Sequence, residues 1–181
     1  SKPVPQSAIV FAQRGLLRPD PDFYPAYVMN YILGGGGFIS RLYKEVREER
    51  GLAYSGYSYL TPMDKAGLYI GGAGTANARV GETLDVVRAQ WALMANKGIT
   101  QDELNNAKTY LTGSYPLRFS SNSKIANMLL GIEMDDLGDD FFDRRNDLVE
   151  AVTLADVNRV AATLLDPKSL TFIVVGEPEG L

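Results

Sequence analysis

The chain has neither cysteine nor histidine among its 181 residues. The first absence excludes disulfides and thiolate metal sites, and leaves periplasm and cytosol equally open as compartments. The second removes the side chain most used to ligate metals and move protons near neutral pH. Together they exclude any Ser–His or Cys–His nucleophile. No apolar run approaches the roughly 18 residues that a bilayer span needs. Basic residues are not in excess: the formal net charge is −4, which disfavours a nucleic-acid surface. The start, SKPVPQSAIVF, has neither Met nor a signal-type apolar stretch, and reads as an excised domain or a processed chain.

What remains is ordinary globular composition. Hydrophobic residues make up 45% and charged residues 22%, enough to bury a sizeable core in a single domain, residues 1–181. Ser7 to Arg14 reads as a strand ended by Gly15. Pro19-Asp20-Pro21-Asp22 marks a helix start with an Asp cap, and Tyr24, Tyr27, Val28, Tyr31 and Ile32 recur at helical spacing. Gly34, Gly35, Gly36 and Gly37 end that helix, and a second begins near Ser40 with Leu42, Tyr43 and Val46 on one face. A hairpin follows: a strand through Tyr54, Tyr57, Tyr59 and Leu60, a turn at Pro62–Lys65, and a return strand Gly67 to Gly74. The glycines of that return strand suggest a bulge or a close approach of another backbone.

The second half is mostly helical. Val80, Leu84, Val87, Trp91 and Met94 form an apolar stripe that ends at Lys97-Gly98. Thr100 with Glu103 and Thr153 with Asp156 read as helix-opening caps, and Pro116 ends or bends the helix through Leu104, Ala107 and Leu111. Two further helices span Ser123 to Gly131 and Asp139 to Val152, and Leu170 to Val175 reads as a buried strand. The order β-α-α-β-β-α-α-α-α-α-β predicts an α+β fold, with an antiparallel or mixed sheet of three to four strands and helices on one face.

Few residue patterns carry chemistry by themselves. The glycine run lacks the Lys-Ser/Thr of a P-loop and follows a helix, so a tight turn is the simpler reading. The charges from Arg41 to Arg50 lie at i,i+3 and i,i+4 separations, as on a solvated helix face. Arginines around Glu45 and Glu49 would keep both ionised, which is unsuited to acid catalysis on a sugar. Asp135-Asp136 with Asp139-Asp140 is the richest acidic cluster, readable as a calcium loop or an exposed turn. Tyr54, Tyr57 and Tyr59 without adjacent cations read as a half-buried strand face rather than a base-stacking platform.

Three strings carry a resemblance: Asn30-x-Ile32-Leu33-Gly34-Gly35, then Ser40-Arg41-Leu42, then Val46-Arg47-Glu48-x-Arg50-Gly51-Leu52-Ala53-Tyr54-Ser55. With the closing stretch Val157 to Gly176, they resemble the M16 or inverzincin zinc metallopeptidases, the family of pitrilysin, insulinase and the mitochondrial processing peptidase. Members build a peptidase from two related halves of LuxS/M16 metallohydrolase-like fold, only one bearing the H-x-x-E-H zinc helix. This chain has no H-x-x-E-H, so the resemblance implies the C-terminal, zinc-free half. Zinc is then expected in a partner domain or subunit, no metal here, and an unfolded or short peptide as substrate.

The resemblance also implies that Arg47 and Tyr54 reach the active site of that partner and contact the substrate carbonyl and its oxyanion. Arg50 competes with Arg47 for this role, and Gly34 to Gly37 would handle substrate near the chamber entrance. Two other readings stay open: a structural subunit, as among the respiratory core proteins of this fold, and a stand-alone module binding peptides at a sheet edge.

Overall fold

A computed structural model describes every residue, Ser1–Leu181. Four strands, β1 (Gln6–Arg14), β2 (Ala53–Pro62), β3 (Gly67–Ala76) and β4 (Thr171–Val175), form one sheet in the order β2-β3-β1-β4. Every neighbouring pair is antiparallel. Seven α-helices follow the expected order: α1 (Phe23–Asn30), α2 (Arg41–Tyr43), α3 (Val80–Lys97), α4 (Gln101–Gly113), α5 (Asn122–Met134), α6 (Phe141–Glu150) and α7 (Leu154–Leu164). No helix is long and apolar enough to cross a membrane.

Strand β1 sits centrally because its alternation suits one covered face. Ser7, Ile9, Phe11 and Gln13 are buried, whereas Gln6, Ala8, Val10 and Arg14 are exposed. Trp91 of α3 is fully buried against this inner face, 5.5 Å edge-on from Phe11 and 4.9 Å from Tyr69. Its indole N–H donates to Gln13 Oε1 at 2.7 Å, which explains a buried glutamine in a strand. The apolar stripe of α3 enters the same core together with Leu104 and Leu111 of α4 and Val157 and Val160 of α7. Each such side chain contributes about 1.5–3 kcal/mol through burial.

Both Thr-opened caps are reciprocal capping boxes, Thr100–Glu103 on α4 and Thr153–Asp156 on α7. Pro116 lies in a short 3₁₀ turn, Tyr115–Phe119, just beyond α4.

Three expectations change. Asp22 holds the N-cap position of α1, but its side chain makes no capping bond; the carboxylate instead takes a two-pronged bond from Arg159 of α7 at 2.7 Å, tying the helices together. Strand β4 is not buried: Ile173 and Val175 are 62% and 50% exposed on the open outer face. Its apolar run lies at a sheet edge covered by helices on one side only. Finally, the irregularity anticipated among the β3 glycines lies across from them, on β2. There Ala53 pairs with Thr75 and Gly56 with Ala73, so β2 carries an extra residue. The alternative, a close approach of another backbone, is met at Gly67, where a Cβ would strike the backbone of Leu16, while Gly71 makes room for the ring of Phe11.

Candidate functional site

The helix carrying the candidate residues is anchored at its start. Arg41 forms a two-pronged ion pair with Glu103, Nε to Oε1 at 2.8 Å and Nη2 to Oε2 at 2.7 Å, and Nη2 also reaches the Gly98 carbonyl at 3.1 Å. Burial pushes the Glu103 carboxyl up, but the Arg41 and Thr100 hydrogen bonds outweigh it and hold the group below its ordinary range. Leu42 and Val46 are fully buried, and Val46 joins Leu52, Ala53, Ala73 and Val86 in a small second core.

Beyond Tyr43 the helix widens into a π-helical segment, Lys44–Glu49, and this resets the charge pattern. The i,i+3 and i,i+4 pairs expected on this face do not form. Arg50 instead meets Glu45 at 3.3 Å, five residues back, as a wider turn allows. Arg41 leaves the helix entirely for α4. Gly51, at φ +57, then turns the chain into β2, a conformation that side chains rarely adopt.

Arg47 stands outside these ion pairs. Its guanidinium carbon lies 4.6 Å from the Tyr54 ring centroid and 5.2 Å from that of Tyr43. Such stacking is worth about 0.5–1 kcal/mol at an exposed site, and leaves the N–H donors free to point elsewhere. Tyr54 is 79% exposed, at the bulge of β2, where an extra residue re-aims the side chain. The two candidates are thus brought together, whereas Arg50 is held by Glu45.

The glycine run divides. The first helix continues past Asn30 as a π-helical turn, Tyr31–Gly35, so it ends inside the glycine run, with Gly34 and Gly35 in its last turn and Gly36 just beyond. Gly34 is buried where a Cβ would strike Ser58 and Leu42; it permits the helix to cross β2 closely. Gly36 lies against Tyr31, and Gly37 is exposed at φ +60. Phe38 and Ile39 follow, 70% and 62% exposed, and were absent from the residues singled out by pattern. The Phe38 ring meets Tyr43 edge-on at 4.9 Å, extending the row Phe38–Tyr43–Arg47–Tyr54. An apolar pair directly after four glycines was the only signal for it.

The structure contains no group of three or more metal-ligating side chains. Asp135 faces Arg18 at 3.6 Å and Asp140 faces Arg144 at 3.0 Å, so the acidic stretch forms separate ion pairs rather than a calcium loop. With neither histidine nor cysteine, the residues present do not fit zinc.

The fold is an α+β layer of one four-stranded antiparallel sheet and seven helices, with no cluster of metal-ligating side chains. A sequence model described as the peptidase M16 inactive domain matches residues 1–111, and the chain belongs to that family. It is 36% identical over 124 residues to an uncharacterized zinc protease of Streptomyces coelicolor, covering 68% of this chain and 27% of that protein. A Helicobacter pylori relative named a non-peptidase homolog is 30% identical over 154 residues, 85% of this chain and 35% of its own length. This chain therefore spans about a third or less of the curated relatives' length. A crystal structure of a peptidase M16 inactive domain from Pseudomonas fluorescens superposes with a TM-score of 0.87 at 32% identity, covering 99% of this chain and 42% of that one.

Proposed function

We propose that the 181 residues form one domain that closes the peptide-binding chamber of an M16 metalloendopeptidase, with the zinc in a partner half. Arg47 and Tyr54 project toward the substrate there. The observation that carries this reading is the pairing of an arginine free of its helix's ion pairs with a 79% exposed tyrosine, 4.6 Å apart. The guanidinium and the phenol O–H donate to the scissile carbonyl oxygen, more strongly as negative charge develops on it. Strand β2, which begins beside this pair, lies at a sheet edge and offers its backbone groups to an extended peptide.

The test is co-expression with the zinc-bearing half. Arg47→Ala and Tyr54→Phe are each expected to lower kcat at least about tenfold, ~1.4 kcal/mol. Arg50→Ala should leave it near the parent value. Unchanged kcat in both variants removes the transition-state role. The Helicobacter relative's name supports a second reading, a non-catalytic assembly subunit. Assembly of the two halves without any peptide hydrolysis by the parent would select it.

A further inference from the structure

A cavity of about 410 Å³ opens between the far end of β2 and helices α5 and α6, and shares no lining residue with the Arg47–Tyr54 row. Its walls are apolar and aromatic, including Tyr24, Tyr27, Tyr115, Met128, Ile132 and Phe141. Its charged lining is Arg18, Arg118 and Arg145 against a single carboxylate, Asp135. In a chain of net charge −4, this local excess of cations is a property of the site and not of the composition.

Arg145 is the anomaly. It is 4% exposed, yet its acceptors are the Leu111 carbonyl at 2.7 Å, Asn146 Oδ1 at 2.8 Å and the Tyr27 hydroxyl at 3.1 Å, none of them a carboxylate. Asp143 and Asp147 lie on the same helix without pairing to it. A buried guanidinium ordinarily has an anionic partner, because an unpaired charge loses its hydration on burial and gains nothing of equal strength in return. Here neutral acceptors and the Tyr115 ring, 4.5 Å from the guanidinium carbon, take that place. Arg145 has five N–H donors, and three hydrogen bonds do not exhaust them.

The Tyr115 hydroxyl is buried with no hydrogen-bond partner. Burial raises its ionisation above the ordinary phenol range although Arg145 and Arg118 act to lower it, so at neutral pH it is an unused donor and not an anion. Arg18 is already engaged, by Asp135 at 3.6 Å and by the Tyr24 hydroxyl at 3.1 Å. The unanswered charge therefore lies at Arg145 and Arg118.

We propose that this cavity binds a carboxylate carried on a small apolar body, the carboxylate against Arg145, Arg118 and the Tyr115 hydroxyl, and the body among the tyrosine, Met128 and Ile132 side chains. A planar guanidinium matches a carboxylate, and the apolar walls favour an organic anion over a bare inorganic one. The same chemistry comes from two sources, a free organic acid or the C-terminal residue of a peptide. The site is independent of the chamber reading, since neither Arg47 nor Tyr54 contributes to it.

Calorimetric titration of the full chain tests it with five probes: 3-phenylpropionate and its amide, the tripeptide Ala-Ala-Phe with a free or an amidated C-terminus, and inorganic phosphate. At least one acid is expected to bind, and its amide at least about tenfold more weakly. A response confined to phenylpropionate identifies a free acid as ligand; one confined to the tripeptide identifies a peptide terminus. Tyr115→Phe removes a hydroxyl that bonds to nothing, so it should melt like the parent while binding the acid more weakly. Arg118 is exposed, and Arg118→Gln should likewise fold normally and weaken the acid. The proposal is overturned if acids and amides bind alike, if no acid binds, if inorganic phosphate binds as tightly as the acids, or if both variants bind as the parent does.

Discussion

Arg41 and Arg47 start and end the same helical segment and are used in opposite ways. Arg41 is sewn into the body of the protein, bonded to both oxygens of Glu103 and to the Gly98 carbonyl. Arg47 rests on the rings of Tyr43 and Tyr54. In the first, charge and donors are consumed by the fold, and the residue fixes where the helix lies. In the second, aromatic faces hold the guanidinium in place without occupying its donors, which remain for something outside the chain. The difference separates an anchor from a tip, and the π-helical widening after Tyr43 creates it by breaking the regular charge spacing between them.

The comparison breaks most readily in stability measurements. Arg41→Ala leaves the half-buried Glu103 without its counter-ion and should lower unfolding free energy by about 1.5–3 kcal/mol. Arg47→Ala should cost no more than about 1 kcal/mol, the worth of its stacking on the two rings. Equal losses in urea unfolding would erase the distinction between anchor and tip.

Gly34→Ala tests the platform beneath the tip. A methyl there meets the backbone and side chain of Ser58, so a loss of about 1–3 kcal/mol is expected by thermal melting. A neutral result would mean that the helix does not cross β2 so closely. On the tip itself, Tyr54→Phe keeps the ring under Arg47 and should leave the melting temperature unchanged, while kcat of the assembled halves falls about tenfold.

The smallest effect concerns acid. Glu103 ionises below its ordinary range, so its contribution is complete above the unfolded carboxylate value, about 4.3, and is lost as pH falls through the lower folded value. Glu103→Gln removes that contribution, so it should lower stability at pH 7 and flatten the further decline below about pH 4.3. If the acid limb keeps its slope in Glu103→Gln, other carboxylates carry it.

Much of the architecture was legible because it is written locally. Period-3.6 stripes place the core face of α3, and Thr-x-x-Glu and Thr-x-x-Asp open α4 and α7. Arg47 and Tyr54 were legible only through the family resemblance, since a charged helix end and an exposed tyrosine carry no chemistry by spacing alone. What escaped the reading was decided between distant segments. Asp22 has the residue type of a cap but is claimed by Arg159 from α7. Strand β4 is as apolar as a buried strand but lies at an edge, because burial depends on what lies above and below a strand.

The sequence by itself determined the element order, the α+β class and the absence of any histidine–cysteine metal site. Hydrophobic period and residue chemistry are local properties that no later packing can remove. Only the tertiary structure decided which arginine is engaged and which is free, that a bulge turns Tyr54 outward, and that Arg145 lies buried beside a cavity with no acid to answer it. Those outcomes depend on partners far apart in the chain, and a charge acquires its role from the neighbours that folding brings to it.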